Sequence, residues 1–250
     1  MNNMKKFRII RSSAKNAEYN MRLDEKIFNR YLEDGIGVFR VYGWSKPSFT
    51  YGFSQKPEDE IRLSKCVSDG VQVARRITGG GILFHNDEIT YSFACNKKDV
   101  GEPEGVFVSY RNICKFLMRF YEFLKLKPVF ALEARGFKDK CAAHPLCSAS
   151  YEKYDITISG KKIGGNAQRR KRQSIFQHGS IPLSIDWDFV RNYLNFLPFD
   201  ILKRVTSLSD ELRVVPERVF LEELLIKSFC ETFNVTFIEV DASIYETCLA

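Results

Sequence analysis

Two glycine-rich segments and one cysteine carry the side chains of this sequence that can do chemistry. Residues 75–85 read RRITGGGILFH. Three successive glycines between two β-like runs have no use in core packing. They allow positive φ and let backbone N–H groups approach a ligand closely. A tight turn explains a glycine triplet equally well. Arg75 and Arg76 before it and His85 after it, however, can bracket an anionic or polar ligand head. Residues 160–167 read GKKIGGNA. Gly160 and Gly165 have the spacing of a P-loop, but Asn166 and Ala167 stand where that motif needs Lys and Ser or Thr, so the P-loop reading fails. Lys161 and Lys162 remain, on a strand leading into a Gly-Gly-Asn turn. Neighbours on a strand face opposite sides, so one of the two can point inward. A half-buried ammonium holds a carbonyl oxygen or a phosphate and stabilises developing negative charge.

The third feature is Cys147, with Cys141 and His144 nearby in the aperiodic stretch 127–150. A loop that long in a compact domain is functional or disordered more often than not. A loop cysteine beside cationic groups is a low-pKa nucleophile; otherwise it is an inert thiol. His144 and Cys147 would make half of a metal site, and no second half is evident. Residues 168–173, QRRKRQ, hold the strongest local charge, but no aromatic lies within the run. Nucleic-acid binding would need such stacking partners. A solvated turn or a docking edge for an acidic partner fits better.

The elements that must position these groups are legible as periodicities. Residues 16–34 read as a helix with Met21, Ile27, Phe28, Tyr31 and Leu32 on one side and Gly35 as its stop. Residues 38–42, 71–76 (Val71, Val73 and Arg75 on one face), 89–95 and 154–159 read as strands. An apolar stripe of Val106, Tyr110, Ile113, Leu117, Phe120 and Leu124 predicts a core-facing helix over 106–126. Residues 161–167 and 174–183 are expected to continue a β-meander. A second helix is expected over 217–233, with Phe220, Leu224, Phe229 and Phe233 inward, then a strand over 235–240. The absence of regular βαβ alternation predicts an α+β fold.

The chain has 250 residues, a net charge of +7, 44% hydrophobic residues and seven cysteines in no framework spacing. Its sequence pI is about 9.0. A chain this long buries roughly 70–75% of its unfolded surface, enough for a core without staples. No signal-peptide pattern and no run near the ~18 apolar residues of a membrane span occurs. A cytoplasmic protein with mostly inert, buried cysteines is expected. No CxxC occurs and there are only three histidines, which argues against structural zinc and predicts no metal site.

Taken together, the segments resemble the catalytic domain shared by lipoate–protein ligases, octanoyltransferases and biotin–protein ligases. The resemblance covers most of the chain. It begins at residues 20–25, NMRLDE, and continues through VYGW (41–44) and RRITGGGILFHNDEITYS (75–92). It closes with GKKIGGNAQRRKRQSIFQHGSI (160–181). The ordered pair RRxTGGG…H and GKKIGGNAQ…QHGS is specific for the lipoate branch, and the GRGR-type motif of biotin ligases is missing.

The resemblance implies one α+β catalytic domain over residues 1–250, with a mixed, mainly antiparallel sheet flanked by helices. It implies no C-terminal accessory domain. It implies that Arg75, Arg76, Thr78, Gly79, Gly80, Gly81 and His85 line an acyl tunnel. Gly164, Gly165, Asn166, Ala167, His178 and Gly179 are implied to bind substrate, and Lys162 to contact the acyl carbonyl or acyl-adenylate. Cys147 precedes Asp155 by eight residues, the distance at which one octanoyltransferase group carries its nucleophile. Ser148 follows the cysteine where that group has an aromatic, and Cys141 is the second candidate.

The implied activity is octanoyl or lipoyl transfer from acyl carrier protein, through the cysteine, to a lysine of a lipoyl domain of 2-oxoacid dehydrogenases or of glycine-cleavage H protein. No cofactor is needed for that reaction. The alternative is a lipoate–protein ligase, which uses ATP and Mg to form lipoyl-AMP. His85 or His178 is the candidate proton acceptor for the lysine amine. A monomer docking to acidic carrier domains is expected, with residues 169–172 as an edge and with no nucleic-acid or membrane partner.

Overall fold

The computed structural model describes residues 4–102, 105–134 and 152–246. In chain order the elements are β1 (Lys5–Arg11), α1 (Ala17–Asp34), β2 (Val38–Tyr42), β3 (Ser48–Tyr51), α2 (Leu63–Asp69), β4 (Gln72–Arg75), β5 (Leu83–His85), β6 (Glu88–Asn96) and α3 (Gly105–Phe123). Then follow β7 (Val129–Phe130), β8 (Ile156–Ile158), β9 (Lys161–Ile163), β10 (Gly165–Lys171), β11 (Ser174–Pro182), α4 (Trp187–Arg191), α5 (Ile201–Arg204), β12 (Val205–Thr206), α6 (Leu208–Glu211), α7 (Arg218–Phe233) and β13 (Val235–Glu239).

The main sheet has the order β10-β11-β6-β2-β1-β13. The β10–β11, β11–β6 and β6–β2 pairs are antiparallel, and the β2–β1 and β1–β13 pairs are parallel. Two smaller sheets, β12-β9-β8-β7 and β4-β3-β5, lie beside it. The architecture is therefore α+β with a mixed sheet.

Side-chain alternation explains why the main sheet needs a layer on each face. Tyr91, Phe93 and Cys95 of β6 pack into one cluster with Ile113, Phe116 and Phe120 of α3 and Leu221, Leu225 and Phe229 of α7. Ala94 points the other way, into a cluster with Leu23, Ile27, Phe28 and Tyr31 of α1. Phe39 sits at the centre of the first cluster, with ring centroids 4.4 Å from Phe229 and 6.1 Å from Phe116. The Asn16 side chain accepts from Tyr19 N at the start of α1, and Gly35 closes it at φ 68 with its N–H on Tyr31 O.

Three expectations shift. On α7, Phe229 is buried as expected and Leu224 and Phe233 pack half-buried against the same cluster, but Phe220 is 56% exposed and Leu221 and Leu225 take the fully buried places. The expected meander is divided between two sheets. β9 pairs with β8 and β12, whereas β10 and β11 join the main sheet. Gly164 makes the break at φ +71. Finally, the aperiodic stretch contributes a short strand, β7, antiparallel to β8.

Candidate active site

Lys162 lies on β9, and the alternation that turns Lys161 partly outward turns Lys162 inward, to 2% exposure. Its Nζ donates to Asp155 Oδ2 at 2.7 Å. The same oxygen accepts from Glu152 N at 2.7 Å, which fixes the carboxylate from its own turn. The pair opens into a cleft of about 170 Å³ lined by Gly79, Gly80, Gly81, Phe107, Tyr110, Tyr154, Asn166, Ala167 and Gln168. Both glycine-rich segments therefore meet at one cavity, brought there by different elements.

Arg76 builds the glycine side of the cleft. It is 1% exposed, and its guanidinium donates to Gly79 O at 2.8 Å, Gly81 O at 2.6 Å and Thr50 O at 3.1 Å. In a trans peptide the next N–H points opposite to the carbonyl, so the N–H of Gly80 is directed away from Arg76. Gly80 itself has φ +92, a conformation that favours glycine. Arg75, by contrast, is exposed on the surface, with its guanidinium 5.2 Å from the Phe53 ring centroid. Arg169 reaches the same ring at 5.9 Å. The basic run lacks an aromatic of its own, and the fold lends it this one.

The second segment closes against β11 and β5. A Cβ on Gly164 would meet Ser180 O at 2.1 Å, and one on Gly179 would meet Asn166 Oδ1 at 2.1 Å and Tyr91 OH at 2.7 Å. Gly165 lies against Leu83, at 3.2 Å from its imagined Cβ. These glycines make room for neighbours, so their spacing reflects close approach of backbones and side chains.

His85 and His178 lie outside the lining of the Lys162 cleft, in a small apolar cavity beside Arg76 on the α1 side of the sheet. His178 Nδ1 is 3.2 Å from Asp24 Oδ2 and its Nε2 is 2.7 Å from Thr78 Oγ1. Burial pushes the His178 pKa below 6.5, with Asp24 only partly offsetting it. The neutral ring therefore donates from Nδ1 to the carboxylate and accepts from Thr78 at Nε2. His85 Nδ1 bonds Glu88 Oε1 at 2.8 Å, its Nε2 shares a hydrogen bond with Thr50 Oγ1 at 2.7 Å, and Trp44 stacks on it at 4.0 Å. Asp24 also pairs with the fully buried Arg40 at 2.8 Å. Burial would raise the Asp24 pKa, but His178, Arg40 and Ser92 outweigh it and hold the carboxyl below 3.8.

Cys147, Cys141 and His144 lie outside the described residues. The described cysteines 66, 95, 114 and 230 are free thiols. Burial raises all four, Cys66 to about 11, so none of them is a thiolate near neutrality. Among the described residues no cluster of three His, Cys, Asp or Glu side chains could hold a metal ion, and no helix is long and apolar enough to cross a membrane. Sequence reasoning missed Asp155 as the partner of Lys162, along with Tyr91 and Gln177 behind Asn166. The polar residues of β6 and β11, unusual in runs buried on both faces, were the available signal.

Known proteins resemble this chain in sequence and in fold. The family model of the lipoyl protein ligase A/B catalytic domain matches residues 16–233. Octanoyltransferase LipM of Oceanobacillus iheyensis is 30% identical over 92% of this chain and 86% of its own length. That of Clostridioides difficile is 29% identical over 97% and 93%. Among solved structures, lipoate-protein ligase A bound with ATP superposes with a TM-score of 0.77 at 21% identity, covering 97% of this chain and 95% of that one. The bipartite lipoate protein ligase of Thermoplasma acidophilum gives 0.75 at 19% identity, covering 97% and 93%.

Proposed function

Because this chain belongs to the lipoyl protein ligase A/B catalytic domain family, we propose that it is an octanoyltransferase of lipoate biosynthesis. It moves an octanoyl group from acyl carrier protein, through a cysteine thioester, to the acceptor lysine of a lipoyl domain or of glycine-cleavage H protein. The observation that carries this reading is the pair of relatives named octanoyltransferase at about 30% identity across most of both lengths. The likeness to ligases, near 20% identity, concerns the fold.

Cys147 is the nucleophile in this proposal. It stands eight residues before Asp155, the residue that holds Lys162. The Cys147 thiolate attacks the carrier thioester, the C–S bond to the carrier arm breaks, and the released thiolate takes a proton from solvent. The Lys162 ammonium stabilises the oxyanion. The neutral acceptor amine then attacks the acyl-cysteine. A C–N bond forms, the C–S bond breaks, and Cys147 returns as thiolate. The amine proton passes to a group in the cleft, for which Asp155 replaces the two histidines, whose ring nitrogens are engaged elsewhere. On this reading the enzyme works in the cytoplasm as a monomer and needs neither ATP nor a metal. The charge of +7 serves docking of acidic carrier and lipoyl domains, with residues 169–172 as one edge.

The test is intact-mass analysis after mixing with octanoyl-acyl carrier protein. A covalent octanoyl adduct that Cys147→Ala abolishes is expected. Full activity of Cys147→Ala, together with a requirement for ATP and free lipoate, would show a ligase instead.

A further inference from the structure

We propose that Asn166 and Gln168 form a subsite that reads a secondary amide on the thiol arm carrying the acyl group into the Lys162 cleft. The proposal rests on the transferase reading and names what its donor must present. Both residues lie on β10 two positions apart, so their side chains leave the same face of the sheet. Both line the cleft.

A directed chain of hydrogen bonds joins them across three strands. Gln168 Nε2 donates to Gln177 Oε1 at 2.7 Å, Gln177 Nε2 donates to Tyr91 OH at 2.7 Å, and Tyr91 OH donates to Asn166 Oδ1 at 2.6 Å. The register permits this, because Gln168 lies opposite Gln177, and Gly179 lies opposite both Asn166 and Tyr91. The missing side chain of Gly179 leaves the space in which Asn166 and Tyr91 meet.

The chain decides what each end offers. The amide nitrogen of Gln168 is engaged, and its Oε1 is buried with no hydrogen-bond partner among the described residues. The amide oxygen of Asn166 is engaged, and its Nδ2 has Cys114 Sγ at 3.9 Å, a weak acceptor. One wall of the cleft thus holds an unpaired acceptor just beneath its surface, on Gln168, and a donor on Asn166. Buried carbonyls are nearly always paired, so the Gln168 oxygen calls for a ligand N–H.

A trans secondary amide carries its C=O and N–H on opposite edges. Two side chains about 6.8 Å apart along a strand can meet one edge each. An attacking lysine amine offers no carbonyl, and its methylene chain keeps its own backbone amide out of reach. The thiol arm of a carrier protein bears secondary amides close to sulfur. The wall therefore matches the donor arm.

Steady-state transfer from octanoyl-acyl carrier protein tests this in Asn166→Ala and Gln168→Leu. The donor KM is expected to rise at least about tenfold, a loss of about 1.4 kcal/mol in donor recognition, with the acceptor-domain KM unchanged. A rise in acceptor KM instead, or no change in either, overturns the proposal. A second measurement needs only the wild-type enzyme. Octanoyl-N-acetylcysteamine, which has one amide, is compared with amide-free S-octanoyl butanethiol as a competitor of carrier-protein turnover. A preference of about tenfold or more for the amide is expected, and equal inhibition overturns the subsite. Failure of the wild type to transfer from the carrier protein at all overturns the transferase reading and this subsite with it. Working transfer with unchanged donor KM overturns the subsite alone.

Discussion

The ammonium of Lys162 lies 2.7 Å from Asp155 Oδ2, with the lysine side chain 2% exposed and the carboxylate 13%. An ammonium that deep needs a counter-charge, and removing one partner of such a pair costs up to roughly 3–5 kcal/mol. The carboxylate stands nearer solvent, so the pair is open on one side, where the cleft lies. A carbonyl oxygen entering from that side would meet a fixed positive charge.

The first prediction separates the two partners. On the proposed mechanism Lys162→Met removes the oxyanion stabiliser, and it is expected to lower kcat by about 10²–10³-fold. Asp155→Asn keeps the shape and removes the charge; it should lower both kcat and the thermal midpoint. Turnover of Lys162→Met within twofold of wild type, measured by amide formation on a lipoyl domain, would remove the lysine from the mechanism.

Acid stability should report His178. Its pKa is depressed by burial below 6.5, so on acidification the unfolded chain takes a proton that the folded ring refuses. Stability tied to this histidine is full above about 6.5 and is lost as pH falls from there toward the folded pKa. Asp24, lowered from 3.8, contributes in the same direction at lower pH, with its stability present above 3.8 and lost below. Urea denaturation at pH 7.5 and 5.5 should show a smaller loss for His178→Gln than for wild type. Equal losses would contradict the assignment.

Gly164→Ala should be costly without touching the cleft chemistry. The position has φ +71, and a Cβ there would sit 2.1 Å from the backbone oxygen of Ser180. Left-handed backbone alone costs a non-glycine residue roughly 1–2 kcal/mol, and overpacking adds about 1–3 kcal/mol. A denaturation midpoint equal to wild type would show that the β9–β10 junction relaxes freely.

The surface around Phe53 should act in docking. Arg75 and Arg169 both hold their guanidinium groups over this exposed ring. The Arg75→Glu/Arg169→Glu double variant is expected to raise KM for an acidic carrier protein and to flatten its salt dependence. Stability should change little, as for most surface substitutions, within about 0.5 kcal/mol each. An unchanged salt profile would exclude this edge from the encounter.

Much of the fold was legible because its signals are local. The helix α1 could be bounded almost to the residue, since Asn16 and Gly35 cap it within one turn of the chain. Of the main-sheet strands, β2, β6, β11 and β13 were visible as β-rich runs, whereas β1 was not read as a strand and β10 only over its first residues. The phase of α7 was legible only in part, with Phe229 read correctly and Phe220 not, because an apolar helix wide enough to offer several stripes leaves the choice to the surface it meets. The division of the 161–182 region between two sheets was hidden for a similar reason. Strand pairing is a contact at long sequence separation, and both alternatives satisfy the same local pattern.

By itself the sequence determined two glycine-rich segments, a strand on which one of two lysines can point inward and an α+β pattern, through residue types whose backbone freedom and alternation act over a few positions; that they belong to one catalytic domain came from the resemblance of the motifs to a known family. Only the tertiary structure decided what each of those residues touches. Arg76 was available to bind an anion, and it instead binds the carbonyls of its own glycine loop. Two histidines were available as bases, and a buried network on the α1 face holds both. Asp155 entered the sequence reading only as the position that marks the distance to Cys147, yet it neutralises Lys162. The physical reason is the same in each case. A polar side chain takes its role from the groups that surround it once water is excluded, and those groups arrive from distant parts of the chain.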